Sequence, residues 1–240
     1  METPTNPRTL AIDIGGSGVK CLVLDKNGEA ITERLRESTP DTPTPDAVMP
    51  LIAKMAAEHG AFDRISAGFP GVVVEGEIRT AVNLHDSWVG YNLERGLAEK
   101  LGKPARVAND ADVQGLGVIE GRGVELVLTL GTGVGSALFT DGRLVPNLEL
   151  GHHPFEKDKS YEDRLGDAEL KKKGADRWNK RLERAIGILD YIFNFRMLYL
   201  GGGNAKKIDF DLPKNVQRVQ NIYGLLGGIR LWEPIDHSRR

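Results

Sequence analysis

The feature that most constrains this chain is a design written into it twice. Leu10 to Ile31, LAIDIGGSGVKCLVLDKNGEAI, runs from an apolar stretch through a glycine loop (Gly15, Gly16, Ser17, Gly18) into a second apolar stretch and on to Asn27-Gly28. ELVLTLGTGVGSALFTDG repeats the plan with Gly131, Thr132, Gly133 and Gly135, ending at Asp141-Gly142, a hairpin-turn dipeptide. Pairing Gly16 with Gly131 superposes Ser17 on Thr132, Gly18 on Gly133 and Val19 on Val134. Two copies are too few for a solenoid, so the repeat predicts two related domains, each with one glycine hairpin. Without a Cβ, such loops let the backbone approach a ligand closely. Their successive N–H groups make a concavity suited to phosphate oxygens. Both loops run from strand to strand, whereas the Walker and dinucleotide fingerprints open a helix and need other spacings. A phosphate ligand clamped between the hairpins is the economical expectation. Two ordinary glycine-turned hairpins are the plain alternative.

Size and charge narrow the classes. A chain of 240 residues can bury one large core or two smaller ones. The formal charge of −2 gives no general pull toward nucleic acid or an anionic membrane. A single cysteine, Cys21, excludes a disulfide framework and a cysteine-based zinc site. METPTNPR lacks the apolar centre of a signal peptide, and no run is long enough to span a membrane, so the expected compartment is the cytosol.

Between the hairpins the pattern reads as alternating strands and helices. STPDTPTPDAVMP is a proline-rich connector; from about Asp46 a helix buries Val48, Leu51, Ile52 and Met55 and stops at Gly60. RISAGF reads as a strand ending at Pro70-Gly71, and NLERGLAEKL as a helix capped by Gly102. ARVAN is a strand entering a helix at Asn109-Asp110. A charged segment from about Glu156 leads to a long helix with Trp178, Leu182, Ala185, Ile186, Leu189, Ile192 and Phe193 on one face. MLYLGGGN is a buried strand breaking at Gly201, Gly202 and Gly203, and NIYGLLGGIRLW reads as a glycine-containing final helix. Such alternation implies mixed sheets covered by helices.

These segments resemble, in order, those of the sugar-kinase, heat-shock-protein-70 and actin superfamily. More narrowly, the chain resembles the ROK family (repressors, open reading frames and kinases), and within it the polyphosphate/ATP glucokinases. The likeness runs from Leu10 to Leu231. DIGGSGVK and LGTGVGSA match the two phosphate motifs, VANDAD the first connecting segment, YLGGGN the adenosine motif, YGLLGGIRL the second connecting helix, and ELGH (Glu149 to His152) the sugar-contacting E-x-G-H. Most ROK kinases follow E-x-G-H with a zinc-binding cysteine cluster, which is missing here as it is in the polyphosphate glucokinases. The first strand begins near Thr9, which leaves no room for the repressors' helix-turn-helix.

The resemblance implies an α/β, two-domain actin-like (ribonuclease H-like) ATPase fold with the active site in the interdomain cleft. Residues 1–8 form a loose terminus, 9–112 the N-terminal domain, 113–223 the C-terminal domain, and a helix at about 224–240 packs back on the first. The implied reaction moves a phosphoryl group from polyphosphate or ATP, with Mg2+, to the 6-hydroxyl of glucose. Asp110 is the implied base, with Asp112 competing; the rival role for Asp110 is a helix cap. Asn83, Asn109, Asp110, Glu149 and His152 are the implied sugar contacts. Asp13 would hold magnesium waters. Gly15, Gly16, Ser17, Gly18, Lys20, Gly131, Thr132, Gly133, Gly135, Gly201, Gly202 and Gly203 would face phosphate or nucleotide. A homodimer with no nucleic-acid or membrane partner is expected. A strictly ATP-dependent kinase for another hexose, a non-catalytic sugar-sensing ROK protein and an actin-like filament ATPase stay open. Lys173, Arg177, Lys180 and Arg184 fall on one stripe at helical spacing, read either as a solvated face or as a track for polyphosphate.

Overall fold

The computed structural model describes residues 5–82, 84–219 and 223–233, and divides the chain into two compact units. One runs through Gly117 and takes in the segment from Tyr223; the other begins at Val118 and includes residues to 219. The sequence reading set its junctions at 112/113 and 223/224; helix Asp110–Leu116 lies whole within the first unit.

In the first unit the strands are β1 (Thr9–Ile14), β2 (Val19–Leu24), β3 (Leu35–Glu37), β4 (Arg64–Phe69), a short hairpin β5–β6 (Val73–Val74, Glu77–Ile78) and β7 (Ala105–Asn109). Its helices are α1 (Pro45–Glu58), α2 (Leu93–Leu101) and α3 (Asp110–Leu116). The main sheet has the order β3-β2-β1-β4-β7, with β1 to β3 antiparallel and β4 and β7 parallel to β1. Central β1 is covered on both faces, which is why TLAIDI is an almost unbroken apolar run. Leu10, Ile12 and Ile14 pack with Val48, Ile52 and Met55 of α1. Ala11 packs instead with Leu22, Leu24 and Leu225, against which Leu226 and Ile229 lie. The C-terminal segment, a short helix Tyr223–Leu226 running into a 3-10 turn Gly227–Trp232, therefore covers the second face of this sheet. The remainder of the expected helix, 234–240, lies outside the described residues. Burial first, and Glu58 second, push the Cys21 thiol up to about 12, so it is inert packing.

The second unit contains β8 (Val124–Leu130), β9 (Val134–Thr140), β10 (Arg143–Val145), a short hairpin β11–β12 (Pro154–Glu156, Lys159–Ser160), β13 (Met197–Gly201) and β14 (Val216–Arg218). Its helices are α4 (Tyr161–Leu165), α5 (Asp167–Lys173) and α6 (Ala175–Phe193). The sheet order is β10-β9-β8-β13-β14, again with an antiparallel triplet and two parallel additions. The repeat seen in the two hairpins thus extends to all five strands of each sheet.

Two expectations need correction. Ile192 is 55% exposed and does not join the buried face of α6, where Arg181 is buried instead. Lys173 is not on that helix at all: it ends α5, and Gly174, at φ +80°, breaks the path before α6 starts.

Candidate active site

Each unit brings its own share of the implied residues together. In the first, the loop Gly15–Gly18 is closed by the Gly15 N–H donating to the Gly18 carbonyl (3.1 Å), and the Thr39 hydroxyl donates to the Gly15 carbonyl (2.6 Å). Gly16 and Ser17 form the exposed tip. Asp13 and Lys20 face each other across the antiparallel pair, and the ammonium donates to the Asp13 carboxylate at 2.7 Å. Lys20, expected to face phosphate, is thus engaged with the residue expected to hold magnesium waters.

On the other side of β1, Asp13 is in register with Gly68 of β4. A Cβ at Gly68 would stand 3.2 Å from the Asp110 Cα. The sheet therefore delivers Asp13 and Asp110 to the same C-terminal edge. Asn109 closes β7 and caps α3: its side-chain oxygen accepts from the N–H groups of Ala111 (2.8 Å) and Asp112 (3.4 Å), while its amide donates to the Gly71 carbonyl (3.1 Å). Asp110 occupies the first helical position, and its carboxylate accepts from the Ala111 N–H at 2.7 Å. The cap is Asn109 and not Asp110. Asp112 is buried, at 2% exposure, so it is a packing residue of α3. Asn83 lies outside the described residues.

In the second unit the loop Gly131–Gly133 is one residue shorter and is closed by the Gly131 N–H donating to the Gly133 carbonyl at 3.0 Å. It carries more supports than its counterpart. The Gly131 carbonyl accepts from the Asp167 N–H (2.9 Å) and from the Asn204 amide (3.1 Å), and the Val134 N–H donates to Glu162 (3.0 Å). Gly201 pairs with Thr129, and Gly202, at φ +86°, lies so close that a Cβ would meet the Leu130 carbonyl oxygen at 2.2 Å. Only glycine fits there. Gly201, Gly202 and Gly203 therefore run beside the strand that feeds the loop.

The E-x-G-H stretch is fastened to the strand leaving the loop. A Cβ on Gly151 would lie 2.2 Å from the Val134 carbonyl oxygen. Ser136 clamps the approach, donating to the Leu148 carbonyl (2.5 Å) and accepting from the Leu150 N–H (3.1 Å). Glu149 and His152 stand one 3-10 turn apart, with Oε2 and Nε2 at 3.4 Å. Their side chains are 35% and 51% exposed, so both are open to a ligand. Thr132 sits at the loop tip, and Gly135 is the second residue of β9, paired with Thr129. His153 packs near Tyr161 (6.1 Å between rings), a structural role.

Glu162 and Asn204 were missed as loop supports by sequence reasoning. Asn204 ends the YLGGGN motif and could have been weighed with it; Glu162 carries no local signal. The expected basic track is also altered, since Lys173 belongs to α5 and Arg184 is paired, and two basic residues outside the track are engaged as well. Arg181 is buried between Glu169 (2.6 Å) and Glu156 (3.3 Å), and its hydrogen bond holds the Glu169 carboxyl below the usual range. Arg184 bonds Glu156 (3.3 Å), and Lys171 bonds Asp167 (2.6 Å). Among the described residues, no helix is long and apolar enough to cross a membrane, and no group of three or more His, Cys, Asp or Glu side chains could hold a metal ion.

Residues 9–162 match the ROK family pattern. A polyphosphate glucokinase of Mycobacterium tuberculosis (strain CDC 1551 / Oshkosh) is 32% identical over 246 residues, covering 94% of this chain and 92% of the relative. The crystal structure of an inorganic polyphosphate/ATP-glucomannokinase from Arthrobacter sp. strain KM superposes with a TM-score of 0.85 at 32% identity, covering 95% of this chain and 100% of that one. A Streptomyces griseus ROK family glucokinase, solved with glucose and AMPPNP, shares the fold (TM-score 0.78, 17% identity, 93% of this chain and 98% of that one). The chain has the mixed α/β actin-like ATPase fold of these sugar kinases. With the pattern covering well over half of its length and a relative aligned almost end to end, the chain belongs to the ROK family.

Proposed function

We propose that this chain is a glucokinase, transferring a phosphoryl group from polyphosphate or ATP to the 6-hydroxyl of glucose to give glucose 6-phosphate. The observation that carries this reading is the fastening of Glu149 and His152 to the second glycine loop through Gly151. Hydroxyl-recognising side chains anchored beside a phosphate-cradling loop are what a sugar kinase needs. A filament ATPase has no use for them. Asp110, set at the sheet edge with Asp13, favours a working enzyme over a sugar sensor.

Phosphoryl transfer asks the protein mainly for positioning and charge neutralisation. Asn109, Glu149 and His152 orient the sugar hydroxyls, with Asn83 as a further contact. The sugar 6-oxygen attacks the terminal phosphorus, Asp110 takes its proton, and the donor leaves as ADP or as a polyphosphate shortened by one unit. The loop N–H groups at 15–18 and 131–135 receive the donor's phosphate oxygens, and Gly201–Gly203 leave room for an adenosine. Asp13 is a partly exposed carboxylate already paired with Lys20, which suits an ion held through waters and phosphate oxygens better than an all-protein cage. A magnesium ion there would neutralise phosphate charge. Lys20 would then exchange Asp13 for a donor oxygen. The enzyme acts in the cytosol as a homodimer.

The test is a coupled assay crossing a hexose panel with ATP and polyphosphate, with and without Mg2+. Glucose-dependent consumption of donor is expected. Donor consumption indifferent to sugar, or glucose binding without turnover, overturns the proposal.

A further inference from the structure

The structure assigns Arg230 a positioning role: from the far end of α3 it holds Asp110 in place. α3 is seven residues long, about two turns, and a helix that short has little stability of its own in water. It carries Asp110 at its first position and ends at Leu116. The contacts that fix its axis therefore fix where the Asp110 carboxylate stands. Part of that hold comes from the sheet, where Gly68 lies against the Asp110 Cα and the Asn109 amide bonds the Gly71 carbonyl. These contacts act at the first turn only.

The C-terminal segment supplies the hold at the other end. Arg230 Nη1 donates to the Leu116 carbonyl at 2.8 Å. That carbonyl belongs to the last helical residue, where a helix offers no partner of its own. A guanidinium there also meets the negative end of the helix dipole. Gly227 touches the middle of the same helix: a Cβ on it would stand 1.9 Å from the Val113 carbonyl oxygen and 2.7 Å from the Gly117 nitrogen. Only bare backbone fits so close.

The arm that carries Arg230 is itself pinned to β4. The Ser66 hydroxyl, buried in that strand, donates to the Gly228 carbonyl (2.6 Å) and accepts from Trp232 Nε1 (2.9 Å). These two bonds fall on either side of Arg230. The guanidinium groups of Arg106 and Arg64 lie over the Trp232 ring, 4.7 and 5.2 Å from its centroid, and Arg106 also donates to the Leu231 carbonyl. Arg230 thus projects from an arm referenced to the same sheet whose edge delivers Asp13 and Asp110. It acts through α3 and not on the substrate.

The inference rests on Asp110 being the base, so the test is a double-mutant cycle between the two residues, read as glucose phosphorylation by the full chain. Arg230→Met keeps the aliphatic stem and removes the donors. A displacement of about 1 Å can cost 10²-fold in rate; a helix still held at its first turn moves less, so kcat should fall roughly tenfold with donor KM unchanged. In the Asp110→Asn background the same substitution should change kcat by less than about twofold, because the group it positions is gone. Arg230→Lys retains a charged donor and should recover most of the loss. Ser66→Ala loosens the arm from β4 and should reproduce it, again only where Asp110 is present. Parental kcat in Arg230→Met or Ser66→Ala, an equal loss in both backgrounds, or no recovery with lysine overturns the inference and leaves Asp110 as the base. Activity of Asp110→Asn within a few-fold of the parent overturns instead the assignment of the base, and the role of Arg230 falls with it.

Discussion

Replacing Glu125 with glutamine should destabilise the second unit without touching the chemistry. Glu125 begins the interior of β8 and is 0% exposed. One carboxylate oxygen accepts from the Glu120 N–H (2.9 Å), Arg196 (2.9 Å) and the Tyr199 hydroxyl (2.8 Å). The other accepts from the N–H groups of Gly121 (2.7 Å) and Arg122 (3.0 Å). Burial alone would raise this carboxyl; the backbone donors and Tyr199 outweigh it and hold it below the usual range. Burial, and then that bond, push the Tyr199 hydroxyl well above the usual phenol range, which keeps it a donor at any working pH. Glutamine fits the space but turns an NH2 toward donors whichever way the amide lies. If its oxygen faces Gly121 and Arg122, Glu120 and Arg196 lose their acceptor; reversed, Gly121 and Arg122 do. Two part-buried donors turned away from that acceptor, with the loss of the charge that Arg196 faces, cost about 2–4 kcal/mol. For a chain of this size that is roughly 5–15 °C in Tm. The measurement is urea unfolding followed by circular dichroism, read for the second unit, at pH 7 and at falling pH. A carboxyl lowered by folding contributes stability above its unfolded pKa and loses it as pH falls through its folded value. The gap between parent and variant should therefore be full at pH 7 and close in acid. A loss below about 1 kcal/mol at pH 7, or a gap that widens in acid, would refute the reasoning.

Other outcomes follow from the site. Asp110→Asn should still bind glucose, by calorimetry, while kcat falls about 10²–10⁴-fold, roughly 3–5 kcal/mol of barrier; activity within a few-fold of the parent would remove Asp110 as the base. Asn204→Ala frees the Gly131 carbonyl from one of its supports, so the donor KM should rise several-fold with glucose KM unchanged, and equal changes in both would count against a loop-positioning role. Lys206 and Lys207 are exposed on the 3-10 turn that starts beside Asn204; reversing both to Glu should raise the KM for polyphosphate more than for ATP. Because a polyanion releases counterions when lysines neutralise it, the polyphosphate KM of the parent should also climb more steeply with salt.

Local rules made much of this fold legible, and non-local pairing hid the rest. Gly102 ends α2 at φ +66°, and Asp141 and Gly142 both take positive φ (49° and 77°), as a two-residue hairpin turn demands. Asn27-Gly28 looked equivalent, but only Gly28 has positive φ (87°). There the Asp25 carboxylate accepts from the N–H groups of Asn27 (2.8 Å) and Glu29 (2.9 Å), which sets a longer turn. The basic segment misled for a related reason. Periodicity puts Lys173 on one stripe with Arg177, Lys180 and Arg184, whereas Gly174 breaks the path and starts a new helix, and Arg184 is drawn toward Glu156 of another element. Asp13, Asn109 and Asp110 could be picked out because they fall inside the motifs that carry the family resemblance, DIGGSGVK and VANDAD. Glu162 could not, since its partner Val134 lies 28 residues away in sequence.

The repeat itself shows how one backbone plan supports two tasks. With Val19 matched to Val134, Lys20 corresponds to Gly135, and their cross-strand partners, Asp13 and Thr129, correspond in turn, the first loop being one residue longer than the second. The first hairpin thus sets a carboxylate and an ammonium at the base of its loop, while the second sets a hydroxyl and a bare glycine there. The second loop compensates with supports from outside its hairpin: Asn204, the Asp167 N–H and Glu162. The first has Thr39 on the matching carbonyl. Charge handling therefore resides in the first copy, and a loop held rigid from several sides in the second. This division fits a reaction in which one end of the donor must be neutralised and the other held still. Grafting the charged pair, Thr129→Asp with Gly135→Lys, would crowd the second loop with a carboxylate where phosphate oxygens are to be received, so donor affinity should fall even though the cross-strand pair can form. Unchanged donor KM in that variant would mean that the two hairpins are interchangeable and the division of labour is wrong.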